Sequence, residues 1–119
     1  MRTLNRFQGR RREDRAEGGP LPDDMQIGDY WRVLTDEGTP KIVHHSGKLT
    51  EDCWRIVVPI GDAEGFAIGN LDHHTVRENE DGTISVLPGD GSSNSILVHG
   101  SRERSWHGYI YSGQFREIG

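Results

Sequence analysis

A chain of 119 residues is long enough for one domain and too short for two of ordinary size. Only 32% of the residues are apolar, and no stretch approaches the roughly 20 consecutive apolar residues of a membrane span, so we expect no contact with a membrane. The single cysteine, Cys53, cannot form an internal disulfide, and its apolar neighbours indicate a buried, unreactive thiol. The polar start of the chain, residues 1–17, lacks the apolar segment of a signal peptide, and we therefore expect the protein to remain in the cytoplasm.

Positive and negative charges are separated along the chain. Residues 1–15 carry six arginines against two acidic residues, a net charge of +4, whereas residues 16–119 carry a net charge of −9. Residues 1–24 also lack apolar periodicity, a composition that buries too little surface to offset the entropy of ordering. We therefore predict a basic, flexible, extended N-terminal arm with its linker at residues 1–24 and a single β domain at residues 25–119.

Short runs of β-forming residues alternate with turn residues in the rest of the chain. The predicted strands lie at residues 29–35, 41–45, 53–60, 66–68, 74–79, 83–87, 94–99, 106–111 and 114–118. Asp81-Gly82 between two of these runs is a strong hairpin signal, because glycine adopts φ > 0 at no steric cost. A second hairpin is predicted across Ser112-Gly113, and no helix longer than one turn is expected. The pattern predicts a mainly β fold, a small antiparallel roll, barrel or sandwich with an extended N-terminal arm.

The histidine pairs His44-His45 and His73-His74 are the nearest approach to a metal-binding pattern. Adjacent residues of a strand point to opposite faces, so each pair offers at most one ligand to a given site. The sequence has no Cys-x-x-Cys, His-x-His or His-Glu-x-x-His motif, and no glycine-framed nucleophile. We therefore expect no metal, no cofactor and no catalytic residues, with a zinc-binding or enzymatic accessory domain as the lesser alternative.

Two segments are typical of partner binding. The arm places arginines around an aromatic residue, a pattern that suits either a nucleic-acid backbone or an acidic protein surface. Because the acidic domain would repel nucleic acid, we favour a protein partner or a multi-subunit assembly over nucleic acid bound through the arm. The segment Trp106-His107-Gly108-Tyr109 predicts either a packed hairpin core or an exposed aromatic patch. The candidate partner-binding residues are Arg2, Arg6, Phe7, Arg10, Arg11, Arg12, Trp106, His107 and Tyr109.

Four segments in the C-terminal part of the chain carry a family pattern. They are residues 74–76, residues 80–86 (Glu-Asp-Gly-Thr-Ile-Ser-Val), residues 95–98, and Trp106-His107-Gly108-Tyr109-Ile110 followed by Gly113. Through these segments, residues 73–118 resemble a family of small proteins of unknown function encoded by tailed phages of actinobacteria. A related domain is encoded beside bacterial ubiquitin-like conjugation genes. The insertion from Gly89 to Ser93 departs from the family, and cysteines that some relatives carry near the Trp-His-Gly segment are missing, which weakens the zinc alternative further. The resemblance implies a phage origin and a β fold and supplies no activity.

These observations lead us to expect a phage-encoded interaction protein without catalytic activity. Its arm and β domain would dock on a larger assembly such as a virion, as a capsid decoration or minor structural protein. The alternative is an early phage protein that binds a host factor. We expect the protein in the host cytoplasm and, in the first case, also in the virion.

Overall fold

The computed structural model describes residues 6–44, 50–60, 65–87, 95–99 and 105–118, and these residues contain eleven strands and no helix. The strands are β1 (Arg6–Gln8), β2 (Arg10–Arg11), β3 (Arg15–Ala16), β4 (Asp29–Leu34), β5 (Trp54–Pro59), β6 (Phe66–Asn70), β7 (Thr75–Glu78), β8 (Ile84–Leu87), β9 (Ile96–His99), β10 (Ser105–Tyr111) and β11 (Gln114–Glu117). The predicted mainly β class is confirmed. In the same ranges, no helix is long and apolar enough to span a membrane. The sequence predictions for Arg2, His45 and the Gly89–Ser93 insertion fall outside the described residues.

Two main sheets and one hairpin make up the architecture. The first sheet has the strand order β1-β11-β10-β9 and is antiparallel throughout. The second sheet has the order β2-β4-β5-β6, and its β4-β5 and β5-β6 pairs are antiparallel. The short strands β2 and β3 both run parallel to β4. The hairpin consists of β7 and β8, and β8 packs beside β10 of the first sheet.

A single hydrophobic core lies between the two sheets and the hairpin. Alternation along each strand sends every second side chain inward, so both sheets and the hairpin contribute to it. The core residues are Tyr30, Trp54, Ile56, Val58, Leu71, Val76, Ile84, Val86, Ile96, Val98, Trp106, Ile110 and Phe115. Four of these side chains are aromatic, and they supply much of the buried volume in a chain with few apolar residues.

Both hairpins predicted from their turn residues are confirmed. The strands β7 and β8 pair antiparallel around Asp81-Gly82, with Gly82 at a φ of +86°. The Asp81 carboxylate accepts hydrogen bonds from the backbone N–H and the hydroxyl of Thr83, at 3.0 and 2.6 Å, and so closes the turn. The strands β10 and β11 pair around Ser112 and Gly113, whose φ angles of 48° and 77° are those of a tight turn between twisted strands.

The predicted strand at residues 41–45 is not formed over its described part. Ile42 makes an isolated bridge with Asp52. The backbone N–H groups on either side of Ile42 donate in different directions, that of Lys41 to β4 and that of Val43 to Glu51, both at 2.9 Å. This segment therefore pairs over only one or two residues with each of two neighbours, and no continuous strand forms.

Strand β6 continues to Asn70, two residues beyond the predicted end at residue 68. Gly69, which the sequence suggested as a turn residue, pairs with Ile56 inside the second sheet. A methyl group at this position would lie 2.5 Å from the side chain of Val98 in β9. The glycine here permits a close approach between the edges of the two sheets.

The N-terminal segment pairs with both sheets, which differs from the flexible arm expected at residues 1–24. The strand β1 pairs with β11 in the first sheet, and β2 and β3 pair with β4 in the second. The chain changes sheet at Gly9, where a methyl group would lie 2.6 Å from both the Gly113 carbonyl oxygen and the Phe115 ring. Phe7 stacks on Phe115 with ring centroids 5.0 Å apart. Backbone pairing with existing strands and one partly buried ring stabilise this segment despite its polar composition.

Residues 15–25 cover the outer face of the second sheet. Trp31 and Val33 point away from the main core, yet they are only 5% and 0% exposed. The Arg15 guanidinium lies 5.8 Å from the centre of the Trp31 ring, and Leu21 lines a cavity together with Trp31 and Val33. The segment expected to be a linker therefore packs on the outer face of the second sheet.

Removal of residues 1–19 is expected to lower the thermal midpoint by at least about 5 °C, because β1 to β3 and the burial of Phe7, worth about 1.5–3 kcal/mol, are lost. Circular dichroism melts of the full and the truncated chain measure the change. The milder variant Phe7→Ala should act in the same direction, whereas Phe66→Ala, at a ring that is 48% exposed, should change the midpoint less. Equal midpoints for the full and the truncated chain would indicate an independent arm.

Candidate functional site

Two of the predicted partner-binding arginines, Arg10 and Arg12, form ion pairs with one buried carboxylate of the same chain, that of Asp29. Arg10 donates two hydrogen bonds to Asp29, from Nε to Oδ1 at 2.8 Å and from Nη2 to Oδ2 at 2.9 Å. Arg12 donates to Asp29 Oδ2 at 3.0 Å and to Asp24 Oδ1 at 2.9 Å. Asp29 is 1% exposed, and burial by itself would raise its pKa. The donors from Arg10 and from the backbone N–H of Gln26 outweigh burial, so the pKa of Asp29 lies below its ordinary value.

A third predicted arginine, Arg11, lies over the buried ring of Trp54. Its guanidinium carbon is 4.7 Å from the ring centre, and that of Arg32 is 5.8 Å away. Both guanidiniums also bind the Asp14 carboxylate, at 2.9 and 2.8 Å, and Arg11 binds Glu78 at 2.7 Å. Burial alone would raise the pKa of Asp14, but the hydrogen bonds from Arg32 and Arg11 lower it overall. These contacts tie the N-terminal segment to β4 and to the hairpin.

A further ion-pair group joins the end of the N-terminal segment to the second sheet. Glu17 accepts from Lys41 at 2.8 Å and from Arg55 at 2.6 Å. The hydrogen bonds from Lys41 and Arg55 lower the pKa of Glu17 to about 2. Arg55 also binds Asp72 at 2.9 Å. Ion pairs of the N-terminal segment with the rest of the chain thus run in both directions, from its arginines to Asp29 and Glu78 and from its Glu17 to Lys41 and Arg55.

Trp106, another predicted partner-binding residue, is fully buried. Its ring packs against Phe115 with centroids 6.1 Å apart. It also lies across Gly108, where a methyl group would be 2.8 Å from the Trp106 ring and would collide with the carbonyl oxygen of Arg116. Of the two interpretations of this segment, the packed hairpin core therefore describes Trp106, and its ring has no surface to offer to a partner.

The other side of the first sheet faces solvent and brings together three of the predicted residues. We call it the Tyr–Arg face. Its outward-pointing side chains are Arg6, Gln8, Leu97, His107, Tyr109, Tyr111, Gln114 and Arg116. Tyr111 is 65% exposed and Leu97 is 53% exposed. On the side of the antiparallel sheet that points away from the core, this face carries two phenol rings beside two guanidiniums.

The strand register orders these side chains in rows across the sheet. One row runs from Arg6 through Arg116 to Tyr109, and the next from Gln8 through Gln114 to Tyr111. A third, shorter row pairs Leu97 with His107. Three of the eight, Arg6, His107 and Tyr109, were predicted from the sequence as partner-binding residues, and the other five were not. Alternation from a buried Trp106 would have placed Tyr111 on this face, whereas the rows depend on the pairing of β1 with β11, for which the sequence has no signal.

The charge on the Tyr–Arg face is entirely positive in the described part of the four strands. Arg6 and Arg116 lie directly opposite each other in the β1-β11 register, so their Cβ atoms are about 5 Å apart. Neither makes a salt bridge with another described residue, and no carboxylate occupies an outward position of the described strands. Like charges directly opposite each other destabilise a sheet, which makes this pair unusual in a chain of net charge −5.

The described residues contain no group of three or more His, Cys, Asp or Glu side chains placed to hold a metal ion. His73 and His74 line one shallow groove with Leu97 at the edges of the two sheets. Cys53 is fully buried, as its sequence neighbours predicted. The buried Cys53 thiol therefore does not reach the Tyr–Arg face, and the groove adjoins that face at Leu97.

Comparison of this chain with protein-family models, with curated proteins and with solved structures finds no match.

Gly108→Ala is expected to destabilise the domain by about 1–3 kcal/mol, because the added methyl group would overlap the Trp106 ring and the Arg116 carbonyl. Urea unfolding measures the change in free energy. Gly19→Ala is the matched control, since nothing lies within 4 Å of the methyl group added there. Equal unfolding free energies for the two variants would contradict the packing described for Trp106.

Acid is expected to destabilise the domain by protonating the carboxylates that hold the N-terminal segment. The folded-state pKa values of Glu17 and Asp29 lie below their ordinary values, so their contribution is complete above about pH 4.5 and is lost as the pH falls through the folded pKa, about 2 for Glu17. Thermal melts from about pH 5 to pH 2 should show a smaller decline in Glu17→Gln than in the wild type. The control is Glu80→Gln at an exposed position outside these pairs. Parallel declines in all three proteins would contradict the role of Glu17.

Proposed function

We propose that the protein is a non-enzymatic interaction protein that docks on a larger protein assembly through the Tyr–Arg face. The observation that carries this proposal is the placement of Tyr111, which is 65% exposed, and of half-buried Tyr109 beside Arg116 on the outward side of the first sheet. Tyr and Arg are the side chains most enriched, with Trp, at the energetic centres of protein interfaces. Their amphipathic rings and planar guanidiniums bind a partner at low cost in side-chain entropy.

The position of the arginines supports docking through the sheet face and not through the arm. Arg10, Arg11 and Arg12 are held by carboxylates of the same chain, and releasing them for a partner would leave Asp29 buried without its cations. Breaking a buried pair of this kind costs about 3–5 kcal/mol. The guanidiniums of Arg6 and Arg116 make no salt bridge with a described residue, so binding a partner would break none of the described ion pairs.

A rigid sheet also suits docking on a repeated assembly. The eight side chains of the Tyr–Arg face project from paired strands, so the positions of their Cβ atoms are fixed before the partner arrives. Preorganisation of this kind reduces the entropy lost on binding. With the phage resemblance of residues 73–118, it supports a capsid decoration or minor structural protein, made in the host cytoplasm and carried in the virion.

Tyr111→Ala is expected to reduce incorporation of the protein into virions by about tenfold, because a largely exposed ring at an interface centre contributes about 1–2 kcal/mol or more. Quantitative mass spectrometry of purified virions, from phage carrying each variant, measures the copy number. Phe66→Ala is the matched control, since this ring is also about half exposed (48%) but lies on the second sheet.

Two outcomes would contradict the proposal. If the wild-type protein is absent from purified virions, the assembly role is wrong and an early protein that binds a host factor takes its place. If Tyr111→Ala and Phe66→Ala enter virions as the wild type does, the Tyr–Arg face is not the docking surface.

A further inference from the structure

Two arginines, Arg6 and Arg116, lie directly opposite each other on the Tyr–Arg face, and no described contact within the fold compensates for their repulsion. Both side chains are exposed, and they occupy directly opposed positions of β1 and β11. Five other described arginines lie against carboxylates, namely Arg10, Arg11, Arg12, Arg32 and Arg55. A like-charged pair without a counter-charge in the described residues creates a local positive potential on a protein of net charge −5.

The geometry of the pair defines the chemistry that would complete it. Guanidiniums present planar forks of N–H donors that match the two oxygens of a carboxylate. Two such groups on neighbouring strands, with about 5 Å between their Cβ atoms, can bind one carboxylate from both sides. The Tyr109 ring lies in the same row, and Gln8 and Gln114 add amide donors in the next row.

We infer that the docking partner is an acidic protein segment that places a carboxylate side chain between Arg6 and Arg116, with its neighbouring side chains on Tyr109 and Tyr111. This inference rests on the proposed function and names the chemistry of its partner. The phenol rings provide the apolar contact area, and the guanidiniums fix the register of the segment. Gln8 and Gln114 bind its backbone or its amide side chains.

Charge favours a protein segment over nucleic acid on this face. A nucleic-acid site typically neutralises several phosphates, whereas the Tyr–Arg face offers two arginines in the described strands. The remaining chain is strongly negative, with −9 over residues 16–119, and repels a long polyanion. A protein segment with one or two acidic side chains meets the two arginines without that repulsion.

Titration of the labelled full-length protein by nuclear magnetic resonance tests the inference. The probes are a short peptide in which Glu alternates with Thr, the same peptide with Gln in place of Glu, and a short single-stranded oligothymidylate. The Glu peptide is expected to shift the resonances of Tyr109, Tyr111 and Arg116, more strongly at about 50 mM salt than at about 300 mM, because exposed charges are screened by salt. The Gln peptide and the oligothymidylate are expected to bind at least about threefold more weakly.

Arg116→Gln is expected to weaken binding of the Glu peptide by roughly three- to tenfold, since the variant keeps a polar side chain with N–H donors but loses the charge and the guanidinium fork. Arg77→Gln is the matched control, because Arg77 is an exposed strand arginine outside the Tyr–Arg face. Tighter binding of the oligothymidylate would overturn the inference in favour of nucleic acid. Equal binding of the Glu and Gln peptides, or no shift on this face at low salt, would also overturn it.

The failure of this inference is distinguishable from failure of the proposed function. If Tyr111→Ala is lost from virions while Arg116→Gln is retained, the face docks on the assembly without a carboxylate, and only the inference is wrong. If both variants are retained in virions, the proposed function itself is wrong.

Discussion

The two arginine forks on the Asp29 carboxylate hold the N-terminal segment in the fold. Asp29 is almost completely buried at the start of β4, and its charge is satisfied by Arg10, by Arg12 and by the backbone N–H of Gln26. A buried carboxylate left without these donors would cost several kcal/mol, so the folded state requires the segment to lie where it does. Once β2 is fixed at this point, the tight corner at Gly9 directs the preceding residues onto the first sheet.

The ion pairs around Asp29 change the interpretation of the charge distribution along the chain. Arg10, Arg11 and Arg12 bind carboxylates of the same chain, so most of the described N-terminal arginines are not available to a partner. The same constraint places β1 at the edge of the first sheet, where it adds Arg6 and Gln8 to the Tyr–Arg face. The segment that was expected to be a binding arm therefore contributes to the Tyr–Arg face, and Arg6 is its one described arginine there.

The sequence predicted the local structure better than the long-range pairing. Asp81-Gly82 and Ser112-Gly113 predict their hairpins because a tight turn requires residues that adopt positive φ. The burial of Cys53 was predicted from its apolar neighbours. The pairing of residues 6–16 could not be predicted in this way, because backbone hydrogen bonds and ion pairs do not require a periodic pattern of apolar residues in the sequence. In the candidate site, the outward positions of β10 could be predicted from the alternation of side chains along the strand. The position of Arg116 beside Tyr109 depends on the register between β10 and β11, which the sequence pattern does not specify.

Amide hydrogen exchange in the N-terminal segment tests the central claim most directly. The backbone N–H groups of Gly9, Arg10 and Arg12 donate to Gly113, Gly28 and Tyr30 at 2.7, 2.8 and 2.8 Å. If the segment is part of the cooperative fold, these three amides exchange as slowly as those in the centre of β4 and β5, through global unfolding. Exchange at the rate of an unstructured peptide, while β4 and β5 remain protected, would contradict the account.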